Sequence, residues 1–137
     1  MLRPSASAMT LIEILAVVVI LGMLAATLTV GVSAKMGRAK KEVAKTAIAQ
    51  LVAQVQTLQL DTRRLPSSSD GLSVLSSDPA APWYVEPGRL KDPWGNPYRY
   101  LAPGSNGQAF EIVSLGADGR TGGTGDDADV SSVSLGD

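Results

Sequence analysis

Hydrophobic and polar positions follow two different rhythms along this chain. From Met9 to Val32, MTLIEILAVVVILGMLAATLTVGV, every residue except Glu13 is apolar, small or hydroxyl-bearing. A helix over this run would be about 36 Å long at about 1.5 Å per residue. That is enough to cross a hydrocarbon core of about 30 Å. A cleaved secretory signal has a shorter apolar core, roughly 7 to 15 residues, with its small-residue site behind it; here the small residues stand in front. A buried helix of a soluble domain would need an apolar surround, which the rest of the chain is too polar to supply. The run predicts a membrane-inserting helix.

Beyond Ser33 the apolar positions recur at steps of three and four. Val43, Ala44, Ala47, Ile48, Leu51, Val55 and Leu58 form one stripe, while Lys40, Lys41, Lys45, Gln50, Gln54 and Gln56 take most of the other face. No proline falls between Met9 and Leu65, so one helix is expected from the apolar run to about Asp61. Its second half lays the stripe on a domain. Pro66 and the serines after it end the helix. Asp70 is expected to cap a short helix that turns Leu72 and Leu75 inward. Ser76 to Arg89 holds Pro79, Pro82 and Pro87 and is irregular, with Trp83 and Tyr84 covering the edge of the core. Asp92-Pro93-Trp94-Gly95-Asn96-Pro97 is a compact turn. Tyr98–Leu101 and Gln108–Leu115 are expected as two strands. The fold class is α+β: a long N-terminal helix packed on a small antiparallel sheet.

Composition narrows the chemistry. The 137 residues allow one domain beyond the anchor and contain neither cysteine nor histidine. Disulfides, thiolate chemistry and every Ser-His triad are therefore excluded, and catalysis is not the expected activity. Behind a net charge of −1 lies an asymmetry. Lys35, Arg38, Lys40, Lys41 and Lys45 follow the apolar run with only Glu42 against them, whereas the last stretch carries five aspartates against Arg120. Taken alone, the basic cluster prefers the cytoplasm. Glu13 is costly within an apolar span. Either it snorkels to the headgroups, or it meets a cation supplied by cleavage between Ala8 and Met9. That cut would place a new amine at i and Glu13 at i+4 on one helix face.

Ser114 to Val130, SLGADGRTGGTGDDADV, combines Asp118, Asp126, Asp127 and Asp129 with glycines that let the backbone fold tightly. Hard oxygen ligands of this type suit calcium; a solvated acidic turn is the other reading. There is no EF-hand loop. Gly122–Asp127 echoes a single repeat of the calcium-binding β-roll, an architecture that needs several in tandem.

The junction Ala8-Met9-Thr10-Leu11-Ile12-Glu13, with the apolar run behind it, resembles the class III leader of type IV pilins and pseudopilins. The resemblance implies that 1–8 is a leader peptide, that a prepilin peptidase cuts between Ala8 and Met9 and methylates the Met9 amine, and that Glu13 serves assembly. It further implies that 9–32 is the transmembrane and filament-core half of the helix, and that 33–137 is a periplasmic domain. Two departures stand out: Ala8 where the family usually has glycine, and Val30-Gly31 where many members have a kinking proline.

Asp61-Thr62-Arg63-Arg64-Leu65-Pro66-Ser67, Asp70-Gly71-Leu72 and Asp92-Pro93-Trp94-Gly95-Asn96-Pro97-Tyr98-Arg99-Tyr100 resemble the blocks of the major pseudopilins of type II secretion, with Leu65 where a tyrosine is common. That resemblance implies a pilin-like fold with a calcium-binding C-terminal loop. Its ligands would be side chains of Asp118, Asp126 and Asp127 or Asp129, with carbonyls near Ser114 and Leu115. It implies a single-pass protein of the bacterial inner membrane that polymerises into a periplasmic filament driving export of folded proteins across the outer membrane. Its implied partners are further copies of itself, minor pseudopilins, the prepilin peptidase and the inner-membrane assembly platform, with no nucleic acid. A type IV pilin for adhesion, motility or DNA uptake is the alternative.

Overall fold

The structure, a computed structural model, describes residues 8–136, apart from the side chains of 28–30. Most of the expected leader therefore lies outside the described residues. One helix, α1, runs from Leu11 to Thr62. The chain divides into two units, the first ending at Met36 and the second starting at Gly37.

Among the described residues of the first unit, α1 buries no side chain. Its most apolar window has no residue covered by the protein, and Ile12 and Leu24 are 74% and 55% exposed. A helix on the surface of a soluble domain hides one stripe and turns a polar face to water; from Ile14 to Leu24 this one carries no polar side chain on any side.

The second unit is built on the rest of α1. Ala44, Ile48, Leu51, Val55 and Leu58 are buried at alternating steps of four and three, the periodicity expected of a single packed face. Val43 departs from the expected stripe and is 58% exposed, because its position falls beside that face. It borders an open groove of about 540 Å³ that Pro93 and Tyr98 also line. The helix stops where Arg63 turns left-handed at φ 57°. There the Thr62 hydroxyl donates to the Leu58 carbonyl at 2.8 Å and accepts from the Arg64 amide at 3.4 Å. Pro66 prevents resumption.

Asp70 does not cap the following 3-10 turn, Gly71–Ser76, as expected. Its carboxylate instead faces back along the chain, accepting from the Ser67 hydroxyl at 2.6 Å and the Ser67 amide at 3.3 Å, while the Ser67 hydroxyl accepts from the Asp70 amide. Asp70 itself is helical, at φ −73° and ψ −36°, rather than extended as a cap would be. Leu72 and Leu75 are buried as expected. Trp83 is also buried and donates its indole N–H to Asp61 at 3.2 Å.

The sheet has three strands, one more than expected: β1 Arg99–Leu101, β2 Glu111–Ser114 and β3 Val130–Ser131, ordered β1-β2-β3. Both pairings are antiparallel, with Tyr100 opposite Ile112 and Ser114 opposite Val130. β2 is buried along its whole length. Ile112, Tyr100 and Val130 join Ile48, Val55 and Leu75 in one hydrophobic core. The acidic segment is thus the connection from the central strand to the edge strand β3. Its two ends are held by the sheet.

Candidate functional site

Two regions carry chemistry: the start of α1 and the acidic connection. At the first, Thr10 and Glu13 form a reciprocal cap. The Thr10 amide and hydroxyl donate to Glu13 Oε2 at 2.8 and 3.1 Å, and the Glu13 amide donates to the Thr10 hydroxyl at 3.4 Å. Thr-x-x-Glu is the capping-box spacing, which satisfies amides that the first helical turn leaves without partners. The Glu13 carboxylate is therefore already engaged. Ala8 and Met9 precede the helix, and both are exposed.

The acidic connection is organised by a residue outside it. Asp92, only 5% exposed, takes amide hydrogens from Trp94 at 3.1 Å and Asn96 at 2.8 Å on Oδ1, and the Ser114 hydroxyl at 2.7 Å on Oδ2. Asn96 completes the link by donating its side-chain amide to the Gly116 carbonyl at 2.8 Å. The Asp-Pro-Trp-Gly-Asn-Pro turn is therefore a clasp on the root of the acidic segment. A buried carboxylate without a cation is stable only when hydrogen bonds replace its water, and Asp92 has three. Sequence inspection recognised the turn but not this role. The signal was an aspartate heading a rigid turn, which states nothing about a hydroxyl more than twenty positions away.

The expected ligand residues occupy distinct places. Asp118 Oδ1 accepts from the Arg120 amide at 3.0 Å, closing a local turn. Asp129 Oδ2 accepts from the Gly122 amide at 3.0 Å, and its Oδ1 is buried with no hydrogen-bond partner. The Asp127 carbonyl points between Gly116 and Gly123, where a Cβ would come within 2.7 and 2.6 Å of it; both glycines have positive φ. Only glycine leaves room for that oxygen. Asp126 turns its carboxylate out of the loop and onto α1, against the backbone of Gly37. Its carbonyl accepts from the Ala117 amide at 2.9 Å. The Ser114 side chain is held by Asp92, and Leu115 follows it at the end of β2. Among the described residues no three acidic side chains gather at metal-holding spacing. What the loop offers a hard cation is one orphaned carboxylate oxygen, on Asp129, beside inward carbonyls.

A second carboxylate is buried in the sheet. Glu111 accepts from the Ser105 hydroxyl and the Ser131 hydroxyl, both at 2.5 Å, and from the Ser105 amide at 3.0 Å. The Ser105 and Ser131 hydroxyls hold it below the ordinary carboxylate value of 4.5 in spite of its burial. It ties β2 to β3 and to the β1–β2 loop.

A long apolar-headed helix whose later turns pack on a three-stranded antiparallel sheet defines a pilin-like protein. The comparisons with known proteins are specific about which kind. Residues 31–133 match the family model "Type II secretion system (T2SS), protein G". The chain is 44% identical to the type II secretion system core protein G of Pseudomonas aeruginosa, over 95% of this chain and 96% of that one. It is 40% identical to the core protein G of Xanthomonas campestris, over 93% and 90% respectively. Among solved structures it is similar to the major pseudopilin of the type 2 secretion system of enterohaemorrhagic Escherichia coli, with a TM-score of 0.57, 25% identity, and coverage of 72% of this chain and 90% of that one. The chain belongs to the type II secretion system protein G family.

Proposed function

We propose that this chain is the major structural subunit of a type II secretion pseudopilus, and that it works by polymerising rather than by catalysis. The observation that carries this reading is the uncovered apolar part of α1 in a member of the protein G family. Such a surface cannot stay in water; it is first solvated by the inner membrane and then by the equivalent helices of neighbouring subunits. The domain that follows lies in the periplasm. Cleavage between Ala8 and Met9 by a prepilin peptidase, with methylation of the Met9 amine, releases the subunit for assembly with minor pseudopilins on an inner-membrane platform. Subunits related by a heterologous contact that does not close extend into a filament. Without histidine and cysteine, catalysis would have to rest on carboxylates, and the buried carboxylates of Asp92 and Glu111 are both spent on hydrogen bonds within the fold.

Glu13 supplies the docking charge. Paired with the Met9 amine of the next subunit in a low-dielectric bundle, it sets register more than it adds stability. In the uncut chain the carboxylate already holds Thr10, so the new amine must compete with those bonds. Glu13→Ala should be cleaved and inserted normally yet form no filaments. Normal filaments from that variant would remove Glu13 from assembly, and a mature mass showing an uncut chain in cells with active peptidase would overturn the processing step.

The acidic connection is the calcium site in this reading. Asp129 Oδ1 supports it, because a buried anionic oxygen without a partner is costly and a hard cation would satisfy it. Asp129 would hold the ion, joined by loop carbonyls such as that of Asp127 and by the carboxylates of Asp118 and Asp127 once drawn inward. The ion supplies ordering energy to a loop that has little apolar surface to bury.

A further inference from the structure

We propose that Arg38, Lys40 and Lys41 form a cationic collar that binds the anionic phosphate headgroups of the lipid surface into which the apolar run inserts; this rests on the membrane-inserting reading of Met9–Val32. The charge is dense and largely unanswered. From Lys35 to Lys45 five cations face one acid, Glu42, and Glu42 is occupied by Lys45 at 3.4 Å. Asp126 is the carboxylate that the fold brings to this segment. It rests on Gly37, and among the described residues it makes no ion pair with Arg38, Lys40 or Lys41.

Arrangement separates a lipid surface from a protein partner. Gly37, Ala44 and Ile48 mark the buried line of α1 in this unit. At about 100° per residue, Lys40 falls on one flank of that line and Arg38 and Lys41 on the other. A flat protein face would meet one flank only, whereas a headgroup layer around the helix meets both. The chain keeps the collar near the membrane whatever the angle between the two units. Arg38 follows Val32 by six positions and Lys41 by nine, a reach of about 20 to 30 Å fully extended and less than half that at helical rise. Long basic side chains extend toward headgroups from such positions, and each contributes roughly a fivefold gain in affinity for an anionic surface. The collar also accounts for a basic cluster on the side of the membrane where the charge rule disfavours one: these residues serve as lipid ligands there.

The test uses the full chain reconstituted in vesicles of phosphatidylcholine containing phosphatidylglycerol, with spin-labelled forms of each lipid reporting which is immobilised at the protein. Vesicle flotation is measured in parallel. Wild type should float and should favour phosphatidylglycerol by about fivefold or more at low salt, with the preference falling at high salt. Arg38→Gln/Lys40→Gln/Lys41→Gln should float equally, keep its melting temperature, and show a preference near one. A floating wild-type chain with no preference, or a triple variant that keeps it, overturns the collar and leaves the anchor standing. A chain that does not float overturns the anchor and the collar together. Lost filament assembly with unchanged lipid preference in the triple variant would assign the patch to an acidic protein partner and overturn the proposal.

Discussion

Gly37 is the residue on which two distant parts of the chain converge. Glycine within a helix ordinarily costs roughly 1 kcal/mol relative to alanine, so Gly37→Ala would be expected to stabilise α1. Here the Asp126 carboxylate occupies the space a Cβ would need. Gly37→Ala should therefore raise the melting temperature of the purified full-length chain by less than helix propensity alone would give, because the Asp126 side chain must first swing aside. In an Asp126→Ala background the same substitution should raise it by more. Equal gains in the two backgrounds would show that the Asp126 carboxylate does not rest on Gly37. Asp92 is the other residue whose role depends on distant partners. Asp92→Ala leaves the Ser114 hydroxyl and two amides without acceptors, each worth roughly 1 to 3 kcal/mol when buried. The loss should appear as a lower denaturant midpoint and a weaker calcium response of the loop that Asp92 anchors.

At the scale of elements, the long helix was legible and the sheet only partly so. α1 announces itself through an unbroken apolar run followed by a strict three-and-four spacing, with proline withheld until Pro66. The cap at its first turn was not expected, although Thr10-Leu11-Ile12-Glu13 has capping-box spacing. The strands were legible as β1 and β2 but came out shorter than expected, and β3 was missed. A strand of two residues, Val130–Ser131, has no periodicity to detect and exists only because β2 offers it an edge. Glu111 joins these elements. Its folded pKa is depressed by the Ser105 and Ser131 hydroxyls, so it contributes stability above the ordinary carboxylate value and loses it as pH falls through the folded one. The melting temperature of wild type should fall on acidification below about pH 4.5, and Glu111→Gln should be less stable at neutral pH with a shallower acid decline. Parallel declines would remove Glu111 from the linkage.

For the whole molecule the proposed calcium site makes a prediction about stability. If calcium binds the folded loop and not the unfolded chain, a concentration of about one hundred times its Kd should stabilise the domain by roughly 2.7 kcal/mol. Chelation should reverse the shift. Asp129→Asn keeps an acceptor for the Gly122 amide and removes the orphaned anionic oxygen. It should melt close to the metal-free wild type and show little calcium response. An equal calcium shift in wild type and Asp129→Asn would relocate the ion, and no shift in either would make the segment a solvated acidic turn.

Sequence alone determined the apolar run, the helix with its packed stripe, the α+β class and the family resemblance. Each of these depends on short-range spacing, which the order of residues states directly. Tertiary structure decided that the Asp-Pro-Trp-Gly-Asn-Pro turn clasps Ser114 and Gly116, that Asp126 leaves its loop to rest on Gly37, and that Asp129, among the described carboxylates, is the one with a buried oxygen left without a partner. Those facts arise from contacts between segments far apart in the chain. Burial and hydrogen bonding assign roles to chemically identical aspartates only after the backbone has brought their neighbours to them.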